Sequence, residues 1–187
     1  MSVPVSDKAR VVWTYEDYRQ MPDDGLRYEV LDGDLVVTPA PSITHQRIAK
    51  RVYLALVEQL ERSGLAEVFF APVDLIFSRL RTLQPDLAVV SSARAGIIAE
   101  RGIEGAPDLV IEILSPSTEA IDRGRKSKLY ADEGVREYWL VDADRRRIEV
   151  FVLGAVGYTL DGEYGSGTKV ISRVFTVDLD VERVFPT

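Results

Sequence analysis

The feature that most constrains this chain is a carboxylate inside an apolar strand. The stretch APDLVIEILSPST, residues 106–118, is apolar enough in its middle to predict a buried strand, yet Glu112 lies within it and Asp108 stands at its start. Side chains alternate along a strand, so both acids share one face, about 13 Å apart at roughly 3.3 Å per residue. At that distance they cannot bind one small ion together. Because a buried carboxylate is costly without a positive partner, Glu112 needs one from another element.

A second acid precedes a similar strand upstream. The segment PDLAVV, residues 85–90, has the form of PDLVIE, residues 107–112. Two such strands side by side would bring Asp86 and Glu112 to one cleft, where carboxylate oxygens bind Mg²⁺, or Mn²⁺ in its place. With no cysteine and one histidine, the chain is a poor candidate for a zinc site. The alternative is that Pro-Asp before a strand forms only a turn or cap, and Asp108 is interpreted in this way.

The segment after SPST predicts a helix rich in positive charge, from about Glu119 to Glu133, closed by Gly134. A helix packed against the sheet would bring one or two cations to the strand face, where a lysine can orient water or stabilise charge on a phosphate. The alternative is a solvated basic face. The cations are Arg123, Arg125, Lys126 and Lys128.

The remaining segments alternate between helical and extended patterns, which predicts an α/β or α+β fold with a mixed sheet. We expect a single domain over residues 1–187, with an N-terminal helix and hairpin at 13–39, a core at 42–153 and a β extension at 154–187. Region 92–102 has no clear pattern. The predicted elements are a helix at 13–22 capped by Thr14, two strands at 27–39 around Asp32-Gly33, a helix at 42–64, strands within 66–78 and at 85–90, and strands at 136–142 and 146–153.

Composition narrows the function classes. The chain has no run of 18 apolar residues and no secretion signal at its N-terminus, so we expect no membrane span and a cytoplasmic protein. The lack of cysteine excludes disulfides and thiol catalysis. A net charge of -7 disfavours a nucleic-acid binder that relies on a broad basic face, but it allows a local basic patch.

Several segments closely resemble the Uma-two family of restriction-endonuclease-like proteins. The resemblance is carried by PDLVIEILSPST followed by DRGRKSKLY and GVREYWLVD, by RYEVLDGDLVVTP with the downstream His45, and by PDLAVV. It covers about residues 13 to 153 in the same order. Because that family is placed in the PD-(D/E)XK nuclease superfamily, the resemblance implies a restriction-endonuclease-like core, a mixed sheet flanked by helices. It also implies an aspartate, a second acid and a lysine that position Mg²⁺ and water for phosphodiester hydrolysis.

Carried over residue by residue, the resemblance implies a catalytic set of Asp86, Glu112 and Lys126, with the two acids as metal ligands. The superfamily pattern has its lysine two residues after the second acid, where this chain has Leu114. In the family the lysine lies on the following helix, where it matches Lys126. Lys128 is the alternative.

Further positions match the family in less defined roles. Glu29 would be a third ligand, directly or through water, or else an exposed strand acid. His45 would contact phosphate, metal or water, or else be structural or solvent-facing. Arg123 and Arg125, with Lys128, would contact flanking phosphates of DNA and make binding salt-dependent. Homodimers are common where a nuclease must meet both strands, and a homodimer is one assembly open to this chain.

The resemblance therefore implies a Mg²⁺-dependent endodeoxyribonuclease, and three alternatives stay open at this point. The first is an inactive nuclease-fold domain that binds nucleic acid or a protein partner. The second is a metal-dependent hydrolase of a small phosphorylated substrate. The third is a dimerisation module that uses REYWLVD and the C-terminal strands as its interface.

Overall fold

The computed structural model describes residues 11–185. The ends of the predicted single domain, residues 1–10 and 186–187, lie outside the described residues, and the extent of that domain stays a prediction. Within the described chain, no helix is long and apolar enough to cross a membrane. The α-helices are α1 (Tyr15–Tyr18), α2 (Ile43–Leu56), α3 (Glu119–Ile121), α4 (Ser127–Glu133) and α5 (Val181–Val184).

The strands form two large mixed sheets and one small one. The strands are β1 (Arg27–Leu31), β2 (Asp34–Thr38), β3 (Ala66–Phe70), β4 (Leu75–Ser78), β5 (Arg81–Leu83), β6 (Leu87–Ser91), β7 (Ile98–Ala99), β8 (Gly102–Ile103), β9 (Leu109–Ile113), β10 (Glu137–Asp142), β11 (Arg147–Gly154), β12 (Gly157–Tyr164), β13 (Lys169–Val170) and β14 (Leu179–Asp180). The first sheet has the order β2-β1-β5-β4-β8-β7, the second has the order β12-β11-β10-β9-β6-β3, and β13 pairs with β14.

Local sequence signals account for the N-terminal elements. Thr14 caps α1 in a capping box, as its position before the helix predicted. Asp32 and Gly33 both have left-handed φ angles, 50° and 79°, which is the geometry that an Asp-Gly hairpin turn requires. In α2, Ile48 and Val52 are fully buried one turn apart, which confirms a helix within the predicted range 42–64. The α-helix ends at Leu56, and a π-helical segment, Val57–Glu61, continues it.

The second sheet is covered on both faces, which explains its almost continuous apolar strands. On one face α2 and α5 pack against residues such as Leu87 and Ile111. On the other face α4 and the first sheet enclose Val110 and Leu140. Glu112 alternates with Ile111 and therefore points to the face of α4 and the first sheet. β9 runs parallel to β10 and antiparallel to β6, so the sheet is mixed.

The predicted α+β class with helices around a mixed sheet is confirmed, but the extended segments form two large sheets, where one was predicted. β5, β7 and β8 are two or three residues long and were not predicted as strands. Such short segments carry no periodicity of their own, and distant partners hold them. The unassigned region 92–102 contains a 3₁₀-helix (Ser92–Ile97) followed by β7.

Gly102 is required by the turn between β7 and β8. Its φ is +140°, and a Cβ there would lie 2.6 Å from the backbone oxygen of Asp74, which accepts a hydrogen bond from the Ile103 amide. We expect Gly102→Ala to lower the free energy of unfolding by about 1–3 kcal/mol in urea denaturation. Gly96→Ala is the matched control because nothing lies within 4 Å of its Cβ position. Equal unfolding midpoints for the two variants would contradict this account.

Candidate active site

A single pocket gathers the acids that the sequence predicted. It has a volume of about 380 Å³ and lies where the first hairpin, the start of α2, the ends of β6 and β9 and the turn before α4 meet. Five of the predicted site residues line it, namely Glu29, His45, Asp86, Glu112 and Lys126. The chain thus brings three carboxylates, an imidazole and an ammonium into one cleft.

Neighbouring strands place Asp86 beside Glu112. In the antiparallel ladder between β6 and β9, Leu87 pairs with Ile111, so the preceding Asp86 stands next to Glu112. The Asp86 amide donates to Glu112 Oε2 at 3.3 Å, and the Ile113 amide donates to Asp86 Oδ2 at 2.8 Å. The repeated Pro-Asp-Leu segments therefore do form adjacent strands, as their similarity predicted.

Lys126 is the cation that holds Glu112 in the strand. Its Nζ lies 2.6 Å from Glu112 Oε1, 3.0 Å from Glu29 Oε1 and 3.6 Å from Asp122 Oδ1. The lysine side chain is 3% exposed. A π-helical turn, Asp122–Lys126, interrupts the predicted helix at this point, and such insertions occur often at functional sites. The turn places the cation in the pocket, and Tyr130 one turn later donates its hydroxyl to Glu112 Oε1 at 2.8 Å.

Burial and charge together shift the proton equilibria of this cluster. Burial and the neighbouring acids, opposed by Lys126, together raise the pKa of Glu112 to about 8. Burial lowers the pKa of Lys126, but the charges of Glu112, Glu29 and Asp122 outweigh it and keep that pKa above its ordinary value. Lys126 is therefore a permanent positive charge at neutral pH. Burial and Glu112 also hold the pKa of Tyr130 well above its usual range, so its hydroxyl remains a donor.

Asp86 has its own partners, a guanidinium and an imidazole. Arg27 Nη2 donates to Asp86 Oδ1 at 2.9 Å, and His45 Nε2 lies 3.0 Å from Asp86 Oδ2. Burial lowers the pKa of His45, Asp86 opposes this, and Arg27 lowers it again, so the pKa stays below its ordinary value. His45 Nδ1 is buried and has no hydrogen-bond partner among the described residues. The imidazole is thus mostly neutral at pH 7, with one unsatisfied nitrogen.

Glu29 is not an exposed strand acid, because its side chain is only 3% exposed. Its Oε1 accepts hydrogen bonds from the Gln84 amide at 2.8 Å and lies within reach of Lys126. The solvent-facing alternative for His45 is also wrong, since its side chain is 11% exposed and turned toward Asp86.

Three residues of the cluster were not anticipated from the sequence. Asp122 and Tyr130 lie four residues before and after Lys126, and this helical spacing is a signal that could have found them. Arg27 opens the first strand two residues before Glu29, on the same face, and reaches Asp86 across the pocket. Together they surround the two predicted metal ligands with polar partners.

The arginines and lysine predicted to contact phosphates lie outside the pocket lining and are paired with acids or a carbonyl. Arg123 binds Glu149 at 2.6 Å. Arg125 donates to the Leu31 carbonyl at 2.7 Å, and Lys128 lies 2.6 Å from Asp132. Their contact with nucleic acid stays a prediction.

Asp108 fixes the start of β9 and takes no part in the pocket. It is fully buried and accepts from the Ser91 amide at 2.8 Å. Arg94 and Arg136 each donate to its Oδ1 at 3.1 Å. The structural role assigned to it from the sequence is confirmed.

One family model covers most of the chain. The model of the Uma2 family, described as "Putative restriction endonuclease", matches residues 15–182. The uncharacterized protein slr1290 of Synechocystis sp. (strain ATCC 27184 / PCC 6803 / Kazusa) is 29% identical over 127 residues, which is 67% of this chain and 65% of that protein. The match thus spans slightly less than two thirds of that relative.

The fold has a solved counterpart. The crystal structure of a "putative nuclease belonging to DUF820" from Anabaena variabilis ATCC 29413 superposes with a TM-score of 0.75 at 20% identity. The superposition covers 92% of this chain and 97% of the other. At this identity the likeness shows a shared fold.

Proposed function

Because the chain belongs to the Uma2 family, whose description is "Putative restriction endonuclease", we propose that it is a metal-dependent endonuclease that hydrolyses phosphodiester bonds of DNA. One observation carries the proposal. Asp86 and Glu112 lie side by side on neighbouring strands in an open pocket, and buried Lys126 contacts Glu112 at 2.6 Å. An acid pair with a fixed cation near the ends of two neighbouring strands is a suitable arrangement for phosphoryl chemistry.

The charge of the pocket supports a divalent cation. Among the described lining residues, four acids (Glu29, Asp86, Glu112 and Asp122) face two permanent cations, Arg27 and Lys126. If all four acids were ionised with His45 neutral, the pocket would carry an excess of two negative charges, and the pKa of about 8 means that Glu112 holds a proton at neutral pH instead. Both this excess of negative charge and the raised pKa of Glu112 indicate that the site lacks positive charge. A divalent cation would remove that deficit.

The donor set fits Mg²⁺, with Mn²⁺ as the alternative. No three His, Cys, Asp or Glu side chains in the described chain are arranged to hold a metal by themselves. Mg²⁺ is commonly held by one or two carboxylates and completes its shell with water and substrate phosphate. In this proposal Asp86 and Glu112 are the protein ligands, and Glu29 contributes through water. When bound there, Mg²⁺ supplies Lewis-acid stabilisation of the phosphate and a lower pKa for water.

The residues of the chain itself would hold and orient the reactants. Lys126, which keeps its proton, would stabilise the negative charge that develops on the phosphate or orient the attacking water. Tyr130 donates to Glu112 Oε1, the same oxygen that Lys126 contacts, and helps to fix this carboxyl group. Arg27 and His45 hold the Asp86 carboxylate. If the metal replaced them as partners of Asp86, either side chain would be available to bind a phosphate oxygen. Arg123, Arg125 and Lys128 remain candidates for flanking phosphates. A homodimer would offer one pocket to each strand of a duplex.

A cleavage panel tests this proposal. Purified protein is incubated with supercoiled plasmid, linear duplex and single-stranded DNA in Mg²⁺, in Mn²⁺ and in excess EDTA. We expect cleavage of DNA with either metal and none in EDTA, because the chemistry requires the cation. DNA binding without cleavage in both metals would instead identify an inactive nuclease-fold domain. Turnover of small phosphate esters alone would identify a different hydrolase.

A further inference from the structure

A groove beside the catalytic pocket has the chemistry of a binding site for single-stranded nucleic acid. It has a volume of about 460 Å³ and runs along the exposed side of α2 to the end of β3. Its walls combine positive, aromatic and aliphatic side chains at the spacing of one helix face. The residues that matter are the cations Arg47 and Lys50, the aromatics Tyr53 and Phe70, and the aliphatics Ile43 and Leu54.

The two cations of the groove are unpaired within the described chain. The side chains of Arg47 and Lys50 have no ion pair or hydrogen bond to any described residue, and no Asp or Glu is among the described residues that line the groove. Arg123, Arg125 and Lys128, by contrast, already bind acids of their own. In a chain of net charge -7, unpaired cations on one helix face are the groups available to a polyanion.

The aromatic wall adds a surface for bases. Phe70 is 58% exposed, and its ring meets Tyr53 edge-on, with centroids 4.8 Å apart. Ile43 and Leu54 are 69% and 56% exposed, so the groove presents apolar surface to solvent. Aromatic rings beside cations bind single strands because unpaired bases stack on the rings while phosphates meet the charges. A duplex hides its base faces within the stack, so this wall favours a single strand.

The groove and the catalytic pocket share no lining residue, but α2 and the β3–β6 ladder connect them. Phe70 pairs with Leu87 in the β3–β6 ladder, and the residue before Leu87 is Asp86. The next amide after Phe70, that of Ala71, donates to the Asp86 carbonyl at 3.0 Å. α2 forms both sites, since it carries His45 into the pocket and its exposed side forms the groove wall. The groove residue Ile43 and the pocket residue His45 are two positions apart, so a strand in the groove would lie close to the pocket.

We propose that this groove binds a single-stranded segment of nucleic acid and leads it to Asp86 and Glu112. The inference rests on the proposed nuclease function and specifies its substrate as a single strand, or a duplex end or junction with unpaired bases. It also assigns the contacts with the phosphates of the nucleic acid to Arg47 and Lys50, which were not predicted as phosphate contacts from the sequence.

Fluorescence anisotropy of a labelled oligothymidine of about 15 nucleotides in EDTA tests the groove directly. Arg47→Gln/Lys50→Gln is expected to weaken binding about 10-fold or more near 0.1 M salt, because two counterion-releasing contacts are lost. The slope of log K against log salt should fall by roughly 1.4, since each single-strand contact contributes roughly 0.7. Phe70→Ala is expected to weaken binding about 5-fold or more through lost stacking, with the salt slope unchanged.

Arg19→Gln/Arg62→Gln is the matched control because it removes the same charge from exposed positions away from the groove. It should bind like the parent. Equal affinities for the parent and the groove variants, or no binding by the parent, would overturn the inference. Sedimentation velocity adds a further outcome: a dimer that Phe70→Ala dissociates would make the groove an interface between copies and overturn it as well.

Binding in EDTA separates this inference from the proposed function. A parent that binds the oligonucleotide but cuts no DNA in Mg²⁺ or Mn²⁺ would refute the nuclease and leave the groove standing. A parent that cuts DNA while its groove variants bind and cut normally would refute the groove alone.

Discussion

Lys126→Ala is expected to lower the free energy of unfolding by about 3–5 kcal/mol. The lysine is buried and contacts Glu112 and Glu29 at 2.6 and 3.0 Å, with Asp122 at 3.6 Å. Its removal leaves three carboxylates that are themselves nearly inaccessible to water without their central counter-charge. Breaking a buried pair from one side is costly because the remaining charge stays desolvated. Urea denaturation followed by circular dichroism measures the loss.

Lys128→Ala is the matched control for this prediction. Lys128 is 75% exposed and pairs with Asp132 at the surface, so its removal should leave the unfolding midpoint almost unchanged. Equal midpoints for the two lysine variants would show that Lys126 does not hold the buried acids. If Lys126→Ala does not fold, Lys126→Met, which keeps the length of the side chain, replaces it in the comparison.

A double variant separates the charge of the cluster from its packing. Glu112→Gln/Lys126→Met removes both members of the shortest ion pair that Lys126 makes. Its loss of unfolding free energy should therefore be smaller than the sum of the losses of Glu112→Gln and Lys126→Met. Neighbouring charges of this kind typically couple by about 0.5–3 kcal/mol. Strict additivity of the two single changes would contradict the buried ion pair described here.

The sequence was sufficient where a local pattern had a single structural solution. The Asp32-Gly33 turn, the apolar stripe of α2 and the two Pro-Asp-Leu strands were all predicted from residues close in the chain. The adjacency of Asp86 and Glu112 followed from the two similar strands. Lys126 was selected by resemblance, because spacing alone could not distinguish it from three other cations on the same segment.

The features of the fold and the site that were not predicted depended on contacts between segments distant in the sequence. Gln84 and Glu29, 55 residues apart, share a hydrogen bond that no local pattern encodes. Arg27 reaches Asp86 across 59 residues, and the first sheet is completed by strands of two or three residues. The π-helical turn that directs Lys126 inward is likewise a consequence of packing. A run of basic residues could not reveal that only one of them would be buried among acids.

The same limit applied to the predicted phosphate contacts. Arg123 and Arg125 looked available in the sequence, but each found an acid or a carbonyl on another element. Arg47 and Lys50, in contrast, lie on the amphipathic helix α2 and were given no binding role from the sequence. Their side chains have no ion-pair partner among the described residues. The availability of a charge is a property of the folded surface, and charge runs in the sequence do not report it.

Glu112→Gln and Asp86→Asn are each expected to reduce metal-dependent DNA cleavage at least 100-fold. Each change keeps the size of the side chain and removes one of the two anionic ligands proposed for Mg²⁺. Metal stabilisation of the transition state is worth several kcal/mol, and about 1.4 kcal/mol corresponds to a tenfold change in rate. Loss of about 3 kcal/mol of that stabilisation therefore accounts for about two orders of magnitude.

Asp108→Asn is the matched control because Asp108 lies on the same strand face as Glu112 and follows the same Pro-Asp pattern. It is bound by Ser91, Arg94 and Arg136 and does not line the pocket. We expect this variant to lose stability but to retain the cleavage rate of the parent per folded molecule. Circular dichroism at the assay temperature confirms that each variant is folded.

The most direct test of the proposed metal-dependent nuclease is the initial rate of plasmid nicking in Mg²⁺ by the parent protein, Glu112→Gln and Asp108→Asn, assayed side by side. We expect nicking by the parent that EDTA abolishes, at least a 100-fold loss for Glu112→Gln, and a parental rate for Asp108→Asn. A folded Glu112→Gln protein that nicks plasmid as fast as the parent would refute the role of Glu112 as a metal ligand.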